Sequence, residues 1–375
     1  MKLATPSVLG FALICFAAAP ASSQDFSFST VDWTHEIDLD LGWTSDRDLP
    51  RDRALYADLR VRFDGEVVHS AQTRYGIRVH FGAVSSDGTR GGFVDLPCTD
   101  NQSCPSVLGI VSGLSSLPGI DPAEDRAGLA IAEFYLRRPF YELRAGRTSS
   151  ALDLQSEPAA RAMKLFAADN DRLGPGLAMT EASLGESALG ASLTLRRLAG
   201  ISASLSYGHE NDTCTLSVCR FSAPQNGLGT LEHIWSGAVS YVHTRQGWRA
   251  ELGVQTAALT GSISGYNDPW LVRGLVSKTQ NDITVSLKSL LSNNGLSVGD
   301  YAAWSLGLAT EQGDWLWSAE LGFGRDDAFD AEGFEAVLAG SRFITDSLLF
   351  SAGVEVSDAY GDAEINLVSE IGLRF

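Results

Sequence analysis

Six basic side chains, Arg60, Arg62, Arg78, His80, Arg137 and Arg144, fall in stretches where charged and apolar residues alternate. Alternation puts each set on one face of an extended segment. Four acids, Asp153, Glu157, Asp169 and Asp171, follow in a connection without that alternation. A basic face opposite an acidic segment makes a field across the gap between them. In a narrow, partly dehydrated gap such a field orients dipolar solutes and penalises apolar ones without breaking a bond. Glu133 and Glu142 stand close enough in sequence to pair with Arg137 and Arg144, whereas Glu251, Lys288 and Glu320 read as plain water-facing charges.

Bond-making chemistry has less support. Of the six histidines, His35, His69, His80, His209, His233 and His243, only two have an acid neighbour, in His209-Glu210 and Glu232-His233. They flank one long connection, but no G-x-S-x-G nucleophile elbow, P-loop, dinucleotide fingerprint or H-E-x-x-H accompanies them. Cys98 and Cys104 bracket five polar residues, and Cys214 and Cys219 bracket Thr-Leu-Ser-Val. Thiolate zinc ligands usually come as C-x₂₋₄-C pairs in a reducing compartment, so in an exported chain two local disulfides are the expected use and zinc the competing one.

Export is expected from the first residues. Met1-Lys2 gives a positive start, Val8 to Ala19 a short apolar core, and small residues close it before Gln24-Asp25. This reads as a cleaved signal peptide over 1–23. The core is too short to span a membrane, and Ile14 before Cys15 argues against a lipoprotein. Cleavage would remove Lys2 and no acid, taking the net charge from −18 to −19. That acid excess argues against a nucleic-acid partner. Beyond the leader no run approaches the roughly 18 apolar residues of a membrane helix, which excludes helical membrane proteins. The 38 Gly, 8 Trp and 17 Phe beside only 3 Met point to strands and turns.

The elements that position these residues have period two. Leu55, Ala57, Leu59, Val61 and Phe63 alternate with Tyr56, Asp58, Arg60 and Arg62; Trp315, Trp317, Ala319, Leu321 and Phe323 alternate with Ser318, Glu320, Gly322 and Gly324. The pattern predicts sixteen strands, at 33–44, 54–64, 75–84, 129–138, 140–147, 188–197, 201–209, 233–244, 247–258, 269–277, 282–290, 298–309, 314–325, 333–343, 347–357 and 363–375. Alternate connections are brief, such as Pro139 or Arg245-Gln246, with the stretch near Gly65 to Arg74 the longest of them. The others are long, acidic and glycine-containing, and the second and fourth hold the cysteine pairs.

Short turns on one rim and long loops on the other fit a closed antiparallel transmembrane barrel with an even strand number. The apolar strand faces have no second sheet to cover them, and in lipid they need none. Trp33 and Trp43 lie ten residues apart on one face, roughly 23 Å along the normal at a tilt near 45°, close to the ~25 Å apolar band between aromatic girdles. Trp248, Trp315 and Phe375 are expected together at the short-turn rim.

The chain resembles the general porins of Gram-negative outer membranes, particularly the sixteen-stranded alphaproteobacterial type. The resemblance spans residues 24–375. It is carried most specifically by Ile131-Ala132-Glu133-Phe134-Tyr135-Leu136 and Tyr141-Glu142-Leu143-Arg144-Ala145-Gly146-Arg147, by the hairpin from Arg53 to Val84, and by Gly372-Leu373-Arg374-Phe375. The last is similar to the terminal aromatic read by the barrel-assembly machinery. The resemblance implies an all-β barrel whose third long loop, 148–187, folds inward to constrict the pore, with passive diffusion of ions and small hydrophilic solutes and no enzymatic activity. It also implies a homotrimer in contact with lipid and lipopolysaccharide, the second long loop reaching the adjacent subunit. That loop, about 85–128, is longer than the family pattern. No cofactor is expected; Asp326-Asp327-Ala328-Phe329-Asp330-Ala331-Glu332 offers carboxylates to a loop-bound Ca²⁺ as a minor alternative to solvated surface. A substrate-selective channel, a barrel enzyme and a loop-borne adhesin are the alternative functions.

Overall fold

The computed structural model describes residues 31–44, 55–70, 72–85, 94–95, 125–152, 187–210, 231–259, 268–293, 300–327, 331–359 and 362–375. In chain order the strands are β1 (Asp32–Thr44), β2 (Leu55–Ser70), β3 (Thr73–Ser85), β4 (Val94–Asp95), β5 (Asp125–Arg137), β6 (Tyr141–Ser149), β7 (Ser187–Leu198), β8 (Ile201–Glu210) and β9 (Leu231–His243). They continue as β10 (Trp248–Leu259), β11 (Trp270–Gln280), β12 (Ile283–Ser292), β13 (Tyr301–Gln312), β14 (Trp315–Asp326), β15 (Ala331–Thr345), β16 (Leu348–Ala359) and β17 (Asp362–Arg374).

All but β4 form one closed antiparallel barrel of sixteen strands, in which β17 pairs back onto β1. Asp38 faces Arg374 across that seam, and Ile37 and Phe375 exchange two backbone hydrogen bonds of 2.9 Å. Closure leaves no unpaired edge, the condition for a sheet to cross hydrocarbon. The two-residue β4 lies within the second long loop and pairs with Gly128 and Leu129 of β5.

Alternation fixes which face meets lipid. On β12 the odd positions are exposed and the even ones buried from Val285 onward. Leu287, Leu306 and Leu321 are register neighbours on three adjacent strands, and each is about half exposed on the outer face. A soluble barrel would pay for that row in water, whereas acyl chains solvate it. Rings mark the short-turn rim: Trp315 stacks on Trp317 at 5.4 Å, Lys278 lies 5.2 Å over Trp248, and Arg342 lies 5.7 Å over Trp315. Phe375 ends β17 at this rim and is 70% exposed. The side chain of Trp43 lies outside the described residues.

Two sequence expectations are corrected. The connection near Gly65 to Arg74 is strand for most of its length, because Glu66, Val67 and Val68 continue the ladder opposite Gly76, Tyr75 and Arg74. Val67, Val68 and Tyr75 favour extended backbone, and only two residues separate Ser70 from Thr73. Loop length is also uneven along the long-loop rim. The gaps after β1, β3, β6 and β8 are long, but β14 and β15 are separated by only four residues and β16 and β17 by two. The acidic run at 326–332 thus begins and ends in strand, Asp326 pairing with Ala331 and Glu332 with Arg325. Asp327 is ion-paired to Arg325 at 2.5 Å.

Candidate functional site: the lumenal charge ladder and the loop root

The inward faces of β1, β2, β3, β5, β6 and β7 carry a continuous ladder of guanidinium and carboxylate groups. Register builds it: Arg62 faces Glu36, Asp64 faces Arg78, Arg78 faces Glu133, Tyr135 faces Arg144 and Arg137 faces Glu142. All six sequence-predicted basic residues therefore share one lumenal wall. Arg78, Arg137 and Arg144 meet in a single cluster, and Arg62 and His80 adjoin it.

Glu142 sits at the centre. Its Oε1 accepts from Arg144 Nε at 2.9 Å, its Oε2 accepts from Arg137 Nε at 2.9 Å and from Arg196, and Arg78 approaches within 3.5 Å. Glu133, whose side chain is fully covered, accepts from Arg78 at 3.1 Å and lies 3.4 Å from Arg144. Glu66 takes Arg74 at 2.9 Å and the Tyr135 hydroxyl at 3.0 Å. The Tyr135 ring is a platform, with the Arg78 guanidinium 4.4 Å above it and that of Arg137 at 5.4 Å. Next to it Arg62 binds Glu36 at 2.7 Å, and His80 approaches Asp64 at 3.5 Å. Arg60 faces Asp38 in the register.

The expected basic wall is thereby corrected to an ion-paired one. Arg74, Arg78, Arg137, Arg144 and Arg196 meet Asp64, Glu66, Glu133 and Glu142. Charge along this wall nearly cancels, while each pair keeps a strong local dipole. Glu142 pairs with Arg137 and Arg144 and Glu133 with Arg144, as expected, and Arg78 joins Glu133 as a further partner. Depth follows from spacing: Arg78 lies five residues into β3, roughly 12 Å from the short-turn rim at ~3.3 Å per residue and a tilt near 45°. The ladder thus runs from that rim to about mid-membrane.

Sequence reasoning missed Arg74, Arg196 and Glu66. Arg196 follows Ser192 and Thr194 at the same parity on β7, so alternation alone would have found it. Arg74 and Glu66 lie in the stretch 65–74 that reads as a connection in sequence and is paired strand in the structure. The far wall differs from expectation as well. Lys288 and Glu320, read as water-facing, are buried and 3.8 Å apart, and Glu251 binds Arg249.

The third long loop leaves the barrel at Ser149 and enters the lumen at once. The Ala151 N–H donates to Ser206 Oγ on β8 at 2.8 Å, and Arg273 on β11 donates to the Leu152 carbonyl at 3.1 Å. Ala151 and Leu152 are almost completely buried. Leu152 fills the space above Gly253 on β10, where an added β-carbon would lie 2.1 Å from its Cδ2. Gly146 prepares the departure with a φ of 124°, a backbone that side chains disfavour. Asp153, Glu157, Asp169 and Asp171 lie outside the described residues, as do Cys98, Cys104, Cys214, Cys219 and the leader 1–23.

The two acid-flanked histidines stand across from each other at the long-loop rim; His233 is hydrogen-bonded to Tyr207 at 2.7 Å. Among the described residues no three His, Cys, Asp or Glu side chains gather as metal ligands.

A closed sixteen-strand barrel with an apolar outer band and an ion-paired lumen defines a transmembrane β-barrel channel. The family model for Gram-negative porins matches residues 10–359, and the chain belongs to that family. It is an outer-membrane channel for passive diffusion. Solved structures agree in fold. The anion-selective porin from Comamonas acidovorans aligns at a TM-score of 0.60 with 12% identity, covering 92% of this chain and 99% of that one. A loop-deletion mutant of OmpT from Vibrio cholerae gives the same four values. A mutant of the Rh. blastica porin gives 0.53 and 13%, covering 92% and 99%. No curated protein sequence matches the chain.

Proposed function

We propose that ions and small hydrophilic solutes pass between the ladder of β1–β7 and the inward third loop, with weak ion preference. The inward root of that loop carries this reading: Leu152, three residues past the end of β6, already contacts the wall at β10 and β11. A loop that starts across the lumen narrows it, and Asp153, Glu157, Asp169 and Asp171 are then candidates for the acidic side of the constriction. The exposed charges line the opposite side, Arg196 at 39%, Arg62 at 37% and Asp64 at 38%. Near-cancellation along the ladder supports weak selectivity, because the arginine excess is small and the carboxylates are interleaved.

The reading assigns no catalysis and needs no cofactor. Asp327, engaged by Arg325, is a poor start for a calcium loop. A homotrimer is part of it, supported by the trimer form of the structurally similar OmpT from Vibrio cholerae. The exposed Phe375 ring is available to the barrel-assembly machinery, and cleavage of 1–23 and local Cys98–Cys104 and Cys214–Cys219 disulfides complete the exported form. Swelling of proteoliposomes in sugars of graded size tests the reading. Rates should fall steeply with solute size, and equal rates for small and large sugars would refute a constriction.

A further inference from the structure

At the long-loop end of β8 and β9 the outer surface carries a side-chain group that diffusion does not use. Tyr207 stands opposite Trp235 and Glu210 opposite Glu232 in the register, and between these pairs the rings of His209 and His233 are neighbours. Their imidazole centroids are 5.1 Å apart, with planes inclined by 33°. The Tyr207 hydroxyl is hydrogen-bonded to His233 Nδ1 at 2.7 Å. Among the described residues the Nδ1 of His209 is buried with no hydrogen-bond partner. His233 also holds a φ of 53° inside a strand, a left-handed conformation that persists for such a residue only where its surroundings enforce it.

We propose that His209 and His233 chelate one borderline divalent cation, Zn²⁺, Ni²⁺ or Cu²⁺, on the outer surface of the barrel. Spacing supports it. A nitrogen–metal distance of about 2.0–2.1 Å and roughly 1.1 Å from nitrogen to ring centre put each centroid ~3.2 Å from a shared ion. Centroids 5.1 Å apart then subtend roughly 110° at the metal, the tetrahedral value for zinc. Tyr207 supplies the orienting partner that metal-binding imidazoles use: with Nδ1–H donating to its oxygen, Nε2 of His233 is left as the ligand. Nitrogen donors select against calcium and magnesium, which take oxygen. Water completes the coordination. The ion would staple β8 to β9 at the base of the connection 211–230.

The test is calorimetric titration of the untagged, detergent-folded barrel with ZnCl₂, with CaCl₂ and MgCl₂ as competitors. The expected result is one Zn²⁺ per chain, undisturbed by either competitor in tenfold excess. His209→Gln or His233→Gln should weaken binding at least tenfold, and Tyr207→Phe by about tenfold, while heat-modifiable migration on SDS gels stays that of the folded barrel. An unchanged isotherm in the doubly substituted, folded barrel would place the ion elsewhere and overturn the assignment. So would displacement by calcium, or no binding by the unsubstituted protein.

Discussion

Leu152 occupies the place of a side chain that Gly253 does not have: a β-carbon there would come within 2.1 Å of the leucine Cδ2. The residues are 101 positions apart, and their contact pins the first residues after β6 against the wall at β10.

Restoring a side chain should move the loop. Gly253→Val puts branched carbons into the space Leu152 fills, and the backbone of β10 is held by ladders on both sides, so the loop root must yield. The barrel should still fold. Conductance should rise and spread over several levels, and the size limit in swelling assays should relax. Leu152→Ala should act in the same direction more weakly, since it leaves the Ala151–Ser206 and Arg273–Leu152 hydrogen bonds intact.

Glu142 restrains the arginines around it. In Glu142→Gln the shape and part of the hydrogen bonding remain, while Arg78, Arg137, Arg144 and Arg196 lose their shared counter-charge. The anion-to-cation permeability ratio should rise on the order of twofold at low salt and less at high salt, where charges are screened. Reversal potentials in a KCl gradient read this directly. Arg144→Gln should shift the ratio toward cations.

How much of this was legible in sequence depends on the range of the interaction. Period-two alternation in Trp315 to Phe323 requires no partner to be seen, and the strand order followed from it. The lumenal parity of Arg60, Arg78 and Arg144 came from the same rule. What alternation omits is which carboxylate each arginine meets, because register is set across the ladder: Arg78 meets Glu133, 55 positions away. Asp64-Gly65 reads as a turn dipeptide, but the pairing of Val67 with Tyr75 overrides it. Nothing local to Leu152 announces Gly253 or Arg273.

Phe375 closes the β1–β17 seam through its backbone, and an assembly role for its ring, as proposed above, can be tested separately. Deleting Phe375 removes both backbone bonds to Ile37, a loss of about 1–3 kcal/mol, and should lower the unfolding temperature of the purified barrel. Phe375→Ala keeps those bonds and should leave purified stability nearly unchanged, yet reduce the amount of folded barrel in the outer membrane. Heat-modifiable migration and membrane yield separate the two effects.

On the outer face Trp317 lies over Gly340, with ring carbons 2.7 to 3.2 Å from where a β-carbon would sit. The pair faces across β14 and β15, and the ring covers backbone that glycine leaves bare. Trp317→Ala should destabilise the barrel by about 1 kcal/mol without altering conductance, because nothing on the lumenal face moves. Denaturant unfolding of the variant in detergent, beside its single-channel trace, checks both halves.

Single-channel recording of the detergent-extracted protein in a planar bilayer under a salt gradient tests the central claim most directly. Ohmic steps closing in threes are expected, with a small reversal potential that grows toward anions in Glu142→Gln. Persistent silence from demonstrably folded barrels, or a strongly ion-selective current unchanged by Glu142→Gln, would contradict it.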